Sequence, residues 1–127
     1  MKKKSLEWLH FAKIDYEAAK NLLNSDLLFV GVAAYHSQQS AEKSLKAFLI
    51  FSGHGVTKTH DLEILLKQCM AFDYEFKCLE KNADSLNPFS VQTRYPDDVG
   101  FMLSPEEAAQ LIEYAENILL FVRTKIG

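Results

Sequence analysis

Between His36 and Lys46 the sequence runs His36-Ser37-Gln38-Gln39-Ser40-Ala41-Glu42-Lys43-Ser44-Leu45-Lys46, and its chemistry sorts with the period of an α-helix. At about 100° per residue, Val30, Ala34, Ala41, Leu45 and Phe48 share one narrow stripe, while Gln39, Glu42, Lys43 and Lys46 gather on the opposite side. A strand would scatter both sets over two faces. The segment is therefore expected to be a helix with one packing side and one polar side. An amide, a carboxylate and two ammonium groups on a single stiff element supply donors and acceptors together, a set suited to phosphate or ribose.

The rest of the chain follows the same period. Ser5 is expected to cap a first helix over residues 6–23, with Trp8, Ala12, Ala19 and Leu22 on its stripe. Asp15 lands within that stripe, where a lone carboxylate is costly to bury, so it needs a partner. The second helix is expected over residues 28–51, about 36 Å long, ending at Ser52-Gly53 with glycine in a left-handed exit. A loop to His60 precedes a third helix through Leu62, Leu65, Leu66 and Cys69, capped by Thr59 or Asp61. A weaker helical segment covers residues 74–86. Asn87-Pro88 then reads as an N-cap and first-turn proline of a short helical turn reaching Arg94, and Pro96 biases Tyr95 towards an extended break. Ser104-Pro105-Glu106-Glu107 is the signature of a final helix, whose stripe of Ala108, Ile112, Ala115, Leu119, Val122 and Ile126 is core or dimer seam. The 3 prolines and 5 glycines fall almost entirely between these runs. The expected class is all-α: an up-and-down four-helix bundle with an additional short helix, residues 1–127 forming one domain.

Charge narrows the function classes. The net charge of −3 argues against generic duplex DNA coating, which needs an excess of Lys and Arg. Residues 1–60 hold eight Lys against five acidic residues, whereas residues 61–127 hold six basic and twelve acidic, so a local phosphate site belongs to the first half. No run approaches the roughly 20 apolar residues of a membrane span, and Met1-Lys2-Lys3-Lys4 leads into an amphipathic helix, so a cytoplasmic protein is expected. Cys69 and Cys78 lack metal or redox spacing and read as packing residues. Histidines 10, 36, 54 and 60 show no i, i+4 pairing, and neither a metal nor a cofactor is expected.

Other residues compete for roles at a site. Glu42 precedes Lys46 by four, the order that favours an exposed helical ion pair. Tyr35 and His36 border the polar face. Arg94 is one of two arginines, and its guanidinium can clamp a phosphate or serve as the structural partner of Asp15. Tyr95 and Asp97 beside it can stack on a base and accept a ribose proton, or merely shape the bend. His60 reads either as a plain loop histidine or as part of a site.

Taken in order, these motifs form a likeness that covers almost the whole chain. Trp8 with Ala12, Asp15 and Ala19, then residues 38–47, then His60-Asp61-Leu62, then Arg94-Tyr95-Pro96-Asp97, then Ser104-Pro105-Glu106-Glu107-Ala108, together resemble the HEPN family, the higher eukaryotes and prokaryotes nucleotide-binding domain. The resemblance implies a helical bundle assembled as a homodimer, a nucleotide or RNA ligand, and a companion minimal nucleotidyltransferase in a toxin–antitoxin pair. It carries over to Gln39, Glu42, Lys43, Lys46 and Arg94, with Tyr95 and Asp97 beside them and Asp15, His36 and His60 as structural or lining residues. Some HEPN proteins are metal-independent ribonucleases whose arginine and histidine, four to six residues apart, work across the dimer. Here no histidine follows Arg94 or Arg123. A ribonuclease would need His36 or His60 as a substituted base, since metal-free RNA cleavage requires a group that takes the 2′-hydroxyl proton. A third reading makes Asp15, Glu42, Lys46 and Arg94 an internal polar network that only fixes bundle register.

Overall fold

The periodic runs fold as helices in the computed structural model, which describes residues 2–91 and 103–127. Among the described residues five α-helices follow in order: α1 (Lys2–Ser25), α2 (Val30–Phe51), α3 (Leu62–Phe72), α4 (Glu80–Leu86) and α5 (Pro105–Ile126). Among the described residues there is no strand. The architecture is the expected all-α bundle, with α1, α2, α3 and α5 as its main helices and α4 as the short addition. Helix α2 packs against all four others, and α1 also lies along α5.

Local signals set the helix ends. Ser104 Oγ accepts from the Glu107 amide at 3.1 Å while Glu107 Oε1 accepts from the Ser104 amide at 3.0 Å, the reciprocal capping pair expected at the start of α5. At the end of α2, Gly53 takes φ +84°, the His54 amide donates to Leu49 O at 2.9 Å and the Gly53 amide to Ile50 O at 3.0 Å. These two bonds are the Schellman closure that a left-handed glycine permits. Asp61 caps α3 by accepting from the Glu63 and Ile64 amides, and Thr59 Oγ1 in turn accepts from the Asp61 amide.

Several boundaries differ from expectation. Helix α1 begins at Lys2, because the three lysines before Ser5 are good helix formers and extend it by a turn, leaving Ser5 buried inside the helix. Helix α2 begins at Val30, since Asp26 caps a separate 3-10 turn over Leu27–Phe29. The segment expected as one helix from Tyr74 divides into a 3-10 helix, Tyr74–Leu79, and α4. With three residues per turn, Phe76 and Leu79 point to the same side and both are buried. Phe76 reaches between Phe48 and Phe121, at centroid separations of 4.3 and 4.9 Å. Asn87 does not cap its own turn. It caps α3 across the fold, accepting from the Leu62 amide at 2.8 Å and donating to Asp61 Oδ1 at 3.1 Å.

The stripe expected on α5 is wholly buried and belongs to the core. Only one cysteine packs as expected: Cys69 is buried against Leu45 O, and burial pushes its thiol pKa up, whereas Cys78 is exposed. Among the described residues no helix is long and apolar enough to cross a membrane.

Candidate functional site

Helix α2 was expected to expose one polar side, yet 14 of its 22 residues are buried, which is more than one packing face can account for. Its many Ala and Ser side chains let α1 approach closely. Ser40 Oγ donates to Ala12 O on α1 at 2.8 Å, while Ser37 and Ser44 turn their hydroxyls back onto the α2 carbonyls of Ala33 and Ser40. Much of the polar side of α2 is covered by α1 and the loop before α3, while His36, Gln39 and Lys43 stay partly exposed.

Two carboxylates organise this side. Asp15 on α1 is buried and receives two cations or donors from α2: His36 Nδ1 lies 2.8 Å from Oδ1, and Lys43 Nζ lies 2.6 Å from Oδ2. His36 and Lys43 are seven residues apart, two helical turns, and so share the side facing α1. The partner that Asp15 requires is thus supplied, among the described residues, by α2. Arg94, Tyr95 and Asp97 lie outside the described residues.

Glu42 is the second centre. Its Oε2 accepts from Lys46 Nζ at 2.9 Å and its Oε1 lies 3.0 Å from His60 Nδ1. The exposed ion pair expected here is a buried one, with the Glu42 and Lys46 side chains 5% and 6% exposed. The loop before α3 contributes to this cover by crossing the middle of α2, where His60 meets Gln38 and Glu42. Gln38 Nε2 donates to the His60 carbonyl at 3.1 Å, and Gln39 Nε2 donates to Gln38 Oε1 at 2.8 Å. His60 is held by its backbone and its ring alike, directly before the capped start of α3.

Both imidazoles turn Nδ1 to a carboxylate. A neutral ring donating from Nδ1 leaves Nε2 as an acceptor, and the opposing carboxylate fixes that tautomer. The His60 ring is 67% exposed and His36 26%, while Lys43 is 30% exposed. By helical position Gln39 sits between the His36–Lys43 pair and the Glu42–Lys46 pair. The structure thus brings together Asp15, His36 and Lys43 in one cluster, and Gln38, Gln39, Glu42, Lys46 and His60 in another. Gln38 is the member that sequence reasoning passed over. Its fully buried amide has no local signature beyond its place beside Gln39. Among the described residues no group of three or more ligating side chains could hold a metal ion.

Comparison with known proteins places this arrangement. The model of the HEPN domain matches residues 5–125. The chain belongs to the HEPN family. No curated protein matches it. Among solved structures the HEPN chain is similar to TT1696 from Thermus thermophilus, at 25% identity and TM-score 0.78, covering 96% of this chain and 98% of that one. It shares its fold with ST0689, an archaeal HEPN homologue, at 23% identity and TM-score 0.76, covering 97% and 98%. HEPN membership supports a nucleotide-binding or RNase-type module at the level of the family.

Proposed function

We propose that the chain binds a phosphate-bearing ligand, a nucleotide or an RNA segment, over the polar side of α2, as the cytoplasmic, homodimeric companion of a minimal nucleotidyltransferase in a toxin–antitoxin pair. The observation that carries the binding reading is the paired orientation of His36 and His60 by Asp15 and Glu42, with Lys43 and Gln39 between them. In this reading Gln39, Lys43, His36 and His60 meet the ligand, joined by Arg94, with Tyr95 and Asp97 beside it. Glu42 and Lys46 act from below, holding His60, and Asp15 holds His36 and Lys43.

Titration of a fluorescent nucleotide and of a short single-stranded RNA tests the proposal. A charge-assisted hydrogen bond contributes about 1.5–3 kcal/mol, so Lys43→Ala, His60→Ala and Arg94→Ala are each expected to weaken binding at least about 10-fold. Equal affinity in all three variants would overturn it.

The carboxylate–imidazole pairs also favour a second reading, a metal-independent RNA endonuclease. An imidazole oriented through Nδ1 can take a 2′-hydroxyl proton at Nε2, with the carboxylate stabilising the ring that results. Cleavage of RNA in EDTA, lost in His36→Ala or His60→Ala, would support it. No cleavage at high protein concentration removes this reading and leaves the binding module.

A further inference from the structure

The outer side of α1 carries a pattern that neither the core nor the candidate site uses. Leu6, Phe11 and Ile14 are 45%, 55% and 48% exposed there, and two shallow grooves run along the helix, one over Leu6 and Phe11, the other over Ile14 and Ala18, meeting at His10. Neighbouring exposed apolar side chains rimmed by charged ones have the composition of a protein contact surface.

The charges around this row are symmetric about His10 with their signs reversed. Lys3 and Glu17 lie seven residues to either side of it, Glu7 and Lys13 three residues, and Leu6 and Ile14 four. A two-fold axis passing beside His10 would lay a second α1 antiparallel to the first. That pairing sets Lys3 against the partner's Glu17, Glu7 against the partner's Lys13 and Leu6 against the partner's Ile14, each contact occurring twice as an isologous interface requires. The register is also discriminated against its neighbours. Sliding the copies by one helical turn moves the axis by two residues, and either direction is penalised: one sets Glu7 against the partner's Glu17, the other Lys3 against the partner's Lys13. A parallel pairing would set every charge against its own copy.

We propose that the outer face of α1 is a self-association surface whose occupant is a second copy of this chain, packed antiparallel about His10. This deepens the homodimer part of the functional reading and rests on it, while leaving ligand binding to stand or fall separately. A contact built on one helix pair is at the small end of interface size, so association is expected in the micromolar range.

Sedimentation from about 1 to about 200 µM brackets that range and reads the equilibrium. The wild-type chain is expected to form a reversible dimer. Lys13→Glu turns two attractions into two repulsions and is expected to raise the dimer Kd about 10-fold. The double variant Glu7→Lys with Lys13→Glu restores opposite charges and is expected to return Kd to within about 3-fold of wild type. Ile14→Asp is expected to give a monomer with unchanged helical circular dichroism. A dimer indifferent to Lys13→Glu and Ile14→Asp would place association on another face and overturn the α1 surface alone. A dimer weakened by Lys13→Glu but not rescued by the double variant would overturn the register. A wild type that stays monomeric throughout would overturn the surface and the homodimer together, and nucleotide titration of that monomer would show whether the binding reading survives.

Discussion

Glu42 and Lys46 are the residues whose environment most changes their meaning. An exposed i, i+4 pair contributes a few tenths of a kcal/mol, whereas here both side chains are buried and Glu42 also holds His60. Removing one member of a buried pair strands the other charge, so Glu42→Gln is expected to cost about 3 kcal/mol of stability. Glu42→Gln combined with Lys46→Met removes both charges and is expected to recover most of that loss. Urea unfolding of the two single variants and the double gives the coupling directly, and additivity would show that the two side chains do not act as a pair. The same cycle separates two roles. If the network only fixes bundle register, stability is coupled while ligand affinity is not. If it also positions His60, Glu42→Gln weakens binding beyond any loss of folded protein.

At the scale of elements, what was legible in the sequence was what is decided locally. The capping box of α5 needs only Ser104 and Glu107, and the end of α2 needs only a glycine free to adopt positive φ. Gly53→Ala is therefore expected to destabilise by about 1–2 kcal/mol, the cost of a left-handed conformation at a residue with a Cβ. A loss below about 0.3 kcal/mol by thermal unfolding would show that this exit tolerates a side chain. The requirement of Asp15 for a partner was also readable, because burial of a carboxylate has a cost wherever it occurs. The identity of the partner was not, since His36 and Lys43 lie 21 and 28 residues away and meet Asp15 only once α1 and α2 pair. Asn87 illustrates the same limit: its sequence suited a cap for the turn that follows, while the fold uses it on Leu62, 25 residues back. The enclosure of α2 was missed because alanine and serine suit a solvated face and a close helix contact equally well. Neighbouring helices decide between the two. Arg94, Tyr95 and Asp97 stand as sequence-based assignments.

The whole molecule responds to acid through carboxylates that its helix ends depend on. The hydrogen bond from Asn87, followed by the Glu63 and Ile64 amides, holds the Asp61 pKa below its ordinary value. Asp73 is likewise held low, chiefly by Lys125 on α5, which lies 2.8 Å away and also meets Glu75. A carboxylate with a depressed folded-state pKa contributes stability above the unfolded value, and that contribution is lost as pH falls through the folded value. The urea midpoint is therefore expected to hold from neutrality down to about pH 5 and to fall below about pH 4. Asp73→Asn keeps an oxygen to cap the turn but removes the charge that meets Lys125, so its acid limb should be shallower. An identical limb in the variant would remove Asp73 from the account.

Nuclear magnetic resonance titration of the labelled protein with a nucleotide, then with a short single-stranded RNA, addresses the binding site itself. Saturable shifts are expected at the side chains and amides of His36, Gln39, Lys43 and His60, with the α1 outer face around Phe11 unmoved. Shifts confined to other surfaces, or none with either ligand at millimolar concentration, would contradict a ligand site on the polar side of α2.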